Sequence, residues 1–152
     1  MMVYRIGRTK HLSDLTGEGS RLFGARWNHE GTACLYASES RALAVLEYTV
    51  NINIDDIPRA LSIATIEIPE SNILALSTGD LPGNWNEVLA PAETKDFGTA
   101  LLTAVKYPVI RIPSTIIPQE YNYILNPLHP ESKKFKIVEA HDFIYDLRIK
   151  SS

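Results

Sequence analysis

Ala33-Cys-Leu-Tyr-Ala-Ser-Glu-Ser-Arg-Ala-Leu-Ala-Val-Leu-Glu-Tyr-Thr-Val50 carries a strand and a helix in one short run. Residues 33–37 are an apolar stretch of strand length, and Ser38 or Ser40 can cap the helix predicted over 41–50. On a helical wheel Leu43, Leu46 and Val50 form the apolar stripe; Glu47 borders it one turn after Leu43, and Arg41 falls toward the opposite face. A carboxylate at the edge of a core-facing stripe is costly unless something pairs with it. Outward from this run the chain reads mainly as strand. Residues 3–6 make a first strand, and the glycines at 7, 17, 19 and 24 mark the stretch from there to Glu30 as mostly loop. Residues 61–68 alternate, with Ala64, Ile66 and Ile68 on one side and Ile63, Thr65 and Glu67 on the other. Residues 72–76, 109–112, 122–125, 134–139 and 143–149 are further strands, the last with Phe143, Tyr145, Leu147 and Ile149 on one face. A second helix over 97–106 is closed by Tyr107-Pro108, since proline disfavours helical backbone in the residue before it. Two or three helices among roughly eight strands, without regular β-α-β alternation, predict an α+β fold on mainly antiparallel sheet. It is expected to form one domain over residues 1–152.

The chain has 152 residues, 45% hydrophobic and 22% charged, which is enough apolar material for a core and excludes global disorder. Its formal charge of -3 is not the footprint of a protein whose main partner is nucleic acid. One cysteine allows neither an internal disulfide nor a cysteine-based zinc site, in keeping with a reducing cytoplasm. No signal peptide or membrane span is visible, so a cytoplasmic protein without membrane contact is expected. Residues 1–31 hold five basic and three acidic side chains, 32–100 three and ten, and 101–152 seven and five. Basic ends around an acidic middle suit an anionic ligand, although offsets of this size also arise from surface scatter.

There is no phosphate-binding glycine loop, and His11, His29, His129 and His141 lack metal-ligand spacing, so no metal is expected. Cys34, between Ala33 and Leu35, reads as packed rather than nucleophilic. Three segments stand out. Gly24-Ala-Arg26-Trp-Asn-His-Glu-Gly31 sets a guanidinium beside an indole in a flexible loop; Arg26 either grips an anion or makes a surface ion pair beside a core Trp27. Tyr36 ends a strand and Glu47 lies one and a half turns into the next helix, so both either line a cleft mouth or serve the core and a salt bridge. Ser114, stiffened by Pro113 and Pro118, is either a ligand contact or a turn serine, and lacks the adjacent base of a nucleophile.

Taken in order, Tyr4-Arg5, Gly-Ala-Arg26-Trp-Asn, Tyr36-Ala-Ser, Ala-Leu-Ala-Val-Leu-Glu47, Pro-Ser114 and Asn122-Tyr-x-x-Asn-Pro-x-His129-Pro resemble the RES domain family over nearly the whole chain. The Arg, Glu and Ser that give the family its name are matched by Arg26, Glu47 and Ser114; Ala25 stands where the family often has a second glycine. The resemblance implies a fold like the diphtheria-toxin type of ADP-ribosyltransferase. It also implies the toxin of a type II toxin–antitoxin system, with NAD as substrate. The implied partner is an Xre-like helix-turn-helix antitoxin, through which alone DNA would be contacted. A homo-oligomer within that complex is compatible with the same resemblance.

Cleaving the nicotinamide–ribose bond develops oxocarbenium character at the ribose carbon, as in glycoside hydrolysis. On this reading Glu47 stabilises that charge, Arg26 grips the pyrophosphate and Tyr36 stacks on or bounds the nicotinamide ring. Ser114 either bonds the nicotinamide end or orients Glu47, while Tyr4, Arg5 and Asn122 line or support the cleft. The acceptor is water or phosphate. Alternatives are mono-ADP-ribosylation of a protein and a catalytically silent module that binds the antitoxin.

Overall fold

The structure, a computed structural model, describes residues 1–150; Ser151 and Ser152, which close the domain expected over 1–152, lie outside them. Among the described residues seven strands form one sheet: β1 (Met2–Arg8), β2 (Leu35–Ser38), β3 (Leu61–Glu67), β4 (Ile73–Ala75), β5 (Val109–Pro113), β6 (Tyr121–Leu125) and β7 (Lys136–Phe143). Their order is β4-β5-β6-β2-β1-β3-β7, antiparallel throughout except for the parallel β4–β5 edge. Three α-helices accompany it: α1 (Glu18–Phe23), α2 (Arg41–Asn51) and α3 (Ala92–Thr103). This is the α+β class, mainly antiparallel with few helices, that the strand-rich pattern indicated.

Alternation along the strands divides the core between two faces of the sheet. Val3, Leu35, Ala37, Ala64, Ile66 and Leu125 meet Leu12 and Phe135 on one face. Cys34, Ile110, Ile112 and Ile124 meet Trp27, Trp85 and Leu102 on the other. With both faces covered, β3 is buried at every position but its last.

Ser40 caps α2 by accepting the Leu43 N–H at 3.1 Å. The helix packs on β1 and β2 and buries Leu43, Ala44 and Thr49. Val50, expected on the apolar stripe, is instead 54% exposed. It lines a cleft, while Thr49 beside it in the last turn is buried.

The stretch ahead of Glu30 is mostly loop, as expected, but six residues between Gly17 and Gly24 coil into α1; both glycines adopt positive φ, 75° and 68°. A side chain at Gly17 would also sit 2.8 Å from the backbone nitrogen of Cys34. The second helix begins at Ala92 rather than at 97, with Glu93 favouring its first turn, and it ends at Thr103 because Val105 turns left-handed at φ 54°. Residues 143–149 do not continue as a strand. Leu61, the first residue of β3, pairs with Phe143, so β7 runs out of partner there. The chain turns back: Tyr145 is buried with its hydroxyl against Thr49 Oγ1 at 2.6 Å, and Lys150 Nζ donates to the carbonyls of Thr49 and Ile52 at the end of α2.

Candidate active site

β1 and β3 pair along their whole length, from Met2↔Glu67 to Arg8↔Leu61, whereas β1 and β2 meet at one position, Tyr4↔Ser38. Beyond that pair the two strands part. A cleft of about 1060 Å³ opens at the seam, lined by Tyr4, Arg5, Arg26, Tyr36, Glu47 and Asn122, so this part of the sequence-derived set comes together. Its size is at the top of the range for small-molecule sites.

Glu47, half-buried on α2, is gripped through one oxygen. Its Oε1 accepts from Ser114 Oγ at 2.7 Å and from Asn122 Nδ2 at 2.8 Å. Oε2 accepts no hydrogen bond among the described residues and is the oxygen left for a ligand. Ser114 is fully buried just past β5, and its Oγ accepts the N–H groups of Ile116 at 3.0 Å and Ile117 at 3.2 Å. Those two donors occupy the lone pairs of the hydroxyl and leave its proton for Glu47. Of the two positions foreseen for Ser114, this geometry has it orienting Glu47, with no face open to a ligand. Pro113 and the Ser114 N–H bond to Glu120 O, at 2.8 Å, hold the turn that makes this possible.

Arg26 reaches the cleft from the loop between α1 and β2, and its guanidinium is tied to the segment before α3. Nη1 donates to Trp85 O and Nη2 to Val88 O, each at 3.1 Å. The Nε–H and the second hydrogen on each terminal nitrogen remain for an anion. Burial pulls its pKa down, and the negative Glu47 acts in the opposite direction. The ion-pair alternative for Arg26 does not hold: carbonyl groups, not a carboxylate, are its hydrogen-bond partners.

Trp27 is the core plug, packed edge-on against Phe97 of α3 with ring centroids 6.0 Å apart. The Tyr36 hydroxyl accepts from the Trp27 N–H at 3.2 Å and donates to Asn28 Oδ1 at 2.6 Å, which fixes its ring against the arginine loop. Burial raises the Tyr36 pKa well above its usual value. Tyr4 carries the Arg41 guanidinium 4.5 Å over its ring, and Arg5 donates to Asp14 O at 3.3 Å. Both line the β1 wall without a hydrogen bond to the Glu47 cluster.

Asn28, already part of the Arg26 motif, is fully buried and donates through Nδ2 to the carbonyls of Ser20, His29 and Thr32, so it knits the arginine loop together. Two further supports of this site were missed by sequence reasoning. Gly98 of α3 lets the helix lie directly on that loop, since a Cβ there would fall 1.9 Å from Trp27 O. The Trp85–Val88 carbonyls are invisible in any side-chain pattern; only a glycine inside a helical run gave a readable signal. Around the mouth Phe23, Val88 and Leu89 stand 78%, 95% and 84% exposed, an apolar rim.

Fold and site together define an α+β protein whose split sheet holds an oriented carboxylate and a guanidinium in one cleft. The chain belongs to the RES domain family, whose model matches residues 2–147. It is similar to the protein named Toxin Res of Yersinia enterocolitica, 39% identical over 99% of this chain and 100% of the relative. It is also similar to the Prs ADP-ribosylating toxin of a Sphingobium species, 34% identical over 93% and 90% of the two chains. Among solved structures it shares a fold with a chain of the M. tuberculosis MbcT-MbcA toxin-antitoxin complex, with a TM-score of 0.70 and 17% identity over 93% of this chain and 83% of that one.

Proposed function

We propose that this chain is the toxin of a bacterial toxin–antitoxin system and acts by cleaving the nicotinamide–ribose bond of NAD. The observation that carries the reading is Glu47, held by Ser114 and Asn122 on Oε1 and open on Oε2, in a cleft that also contains Arg26. The C–N bond to the ribose breaks and nicotinamide leaves with the electron pair, which neutralises its ring. The positive charge left on the ribose lies beside the carboxylate. Water adds to give ADP-ribose and a proton, or phosphate adds to give ADP-ribose phosphate. Arg26 takes the pyrophosphate with the N–H groups that the loop carbonyls leave unused, and Tyr36 bounds the nicotinamide ring.

The names of the Yersinia and Sphingobium relatives support the toxin assignment. The Sphingobium name also favours a second reading, transfer of ADP-ribose to a protein. The neutralising partner is an Xre-like antitoxin whose end reaches toward Arg26 across the apolar rim of Phe23, Val88 and Leu89. The decisive experiment tracks NAD with time for wild type, Arg26→Ala and Glu47→Gln, with and without inorganic phosphate. Loss in wild type alone supports the enzyme, and phosphate dependence selects phosphorolysis. With labelled NAD and lysate, label on a protein selects transfer. No NAD loss and no labelled protein, from a folded wild type, overturns the proposal in favour of a silent binding module.

A further inference from the structure

We infer that Ser38 is a positioning residue for Glu47, acting through Asn122; the inference rests on the role proposed for Glu47 in NAD cleavage. Ser38 ends β2, is buried, and pairs with Tyr4 on one side and with Asn122 on the other. Its Oγ donates to Asn122 Oδ1 at 2.7 Å, and Asn122 Nδ2 donates to Glu47 Oε1 at 2.8 Å. A carboxamide presents one accepting end and one donating end. With the serine proton on the oxygen, the nitrogen end faces the carboxylate. Turned over, the amide would set its oxygen against Glu47 Oε1, acceptor against acceptor. Hydroxyl, amide and carboxylate thus form a chain in which every donor points the same way, an arrangement in which each bond polarises the next.

The other donor to Oε1, Ser114, is anchored separately by the Ile116 and Ile117 N–H groups. The carboxylate is therefore held by two donors whose side chains are anchored differently, Ser114 by the Ile116 and Ile117 N–H groups and Asn122 by the Ser38 hydroxyl. A rotation of Glu47 that exchanged its two oxygens would have to break both bonds. Ser38 is also half of the single pair joining β1 to β2, so the bond chain that orients Glu47 starts at the point where the sheet opens into the cleft.

The test is a double-mutant cycle of Ser38→Ala and Asn122→Ala, with Ser38→Thr as the variant that keeps the hydroxyl. NAD turnover is read as kcat and KM, and thermal unfolding confirms that each variant folds. Ser38→Ala is expected to lower kcat about three- to ten-fold, as for one lost hydrogen bond, with KM changed less than about two-fold. It should add nothing in the Asn122→Ala background, and Ser38→Thr should recover most of the loss. An unchanged kcat, or an equal loss with and without Asn122, overturns the proposal. The same cycle is read without substrate on the 13C carboxyl resonance of Glu47, assigned with Glu47→Gln. If wild type consumes no NAD, the enzymatic reading fails on that result. The proposal then stands if Ser38→Ala moves this resonance only while Asn122 is present, and falls if it does not.

Discussion

Ser114 shows how one side chain can be indispensable to a site it never opens onto. Its hydroxyl takes two backbone N–H groups and gives its proton to Glu47, so removing it orphans donors at Ile116 and Ile117 as well as loosening the carboxylate. Ser114→Ala is expected to cost about 2–4 kcal/mol of stability, as for a buried group whose partners go unsatisfied, read from urea unfolding. It should also lower NAD turnover at least about ten-fold. Full turnover in the folded variant would mean that Glu47 needs no orienting donor there. Asn28 makes the same point for the arginine loop, with its amide nitrogen shared among three carbonyls. Asn28→Asp would set a carboxylate against those carbonyls in a dry site. A loss of more than about 3 kcal/mol is expected, measured in the same way.

Contact between whole elements decides where Arg26 points. Gly98 lets α3 touch Trp27, one residue along from the arginine. Gly98→Ala forces a methyl group to within 1.9 Å of a carbonyl oxygen, so helix and loop must separate; stability and NAD turnover should both fall. Gly19→Ala in α1, where a Cβ meets open space, is the matched control and should gain about 0.5–1 kcal/mol. Arg26→Ala removes the two bonds that hold the Trp85–Val88 carbonyls, and hydrogen exchange through residues 84–90 is expected to quicken. Unaltered exchange there would show that the buried Trp85 ring and the Asn84–Glu93 bond anchor the segment without Arg26. The sequence exposed the members of the site, Ser114 and Asn122 among them, because their residue types carry chemistry; the backbone carbonyls that hold Arg26 and the glycine that seats α3 carry none and stayed hidden. The same limit applied to the elements. Alternation at 143–149 is as clean as at 61–68, yet a strand also needs a partner, and β3 has no residue left to pair beyond Leu61. Helix α1 escaped notice because its ends are set by two glycines that also read as loop.

At the scale of the molecule, one sheet divided at a single strand pair supplies both a rigid core and a cleft, and the arginine loop closes over the buried centre of the fold. Cys34 lies in that centre, and burial pushes its thiol up to about 11 from the ordinary 9.0. The folded state therefore keeps the proton that the unfolded chain gives up. Because the folded pKa is the higher one, this contribution is fully present below pH 9 and is lost as the pH rises through about 11. Two pH units correspond to about 3 kcal/mol at most, and less where the thiol gains some access to water. Wild type should thus lose stability relative to Cys34→Ala between pH 9 and 11, with a constant difference between the two from pH 6 to 8. Urea midpoints for both proteins across that range provide the check, the alanine variant subtracting every other group that titrates there. Equal slopes in the two proteins would mean that the thiolate is tolerated inside the fold. Iodoacetamide gives an independent measure: at pH 8 the native thiol should react no faster than global unfolding exposes it.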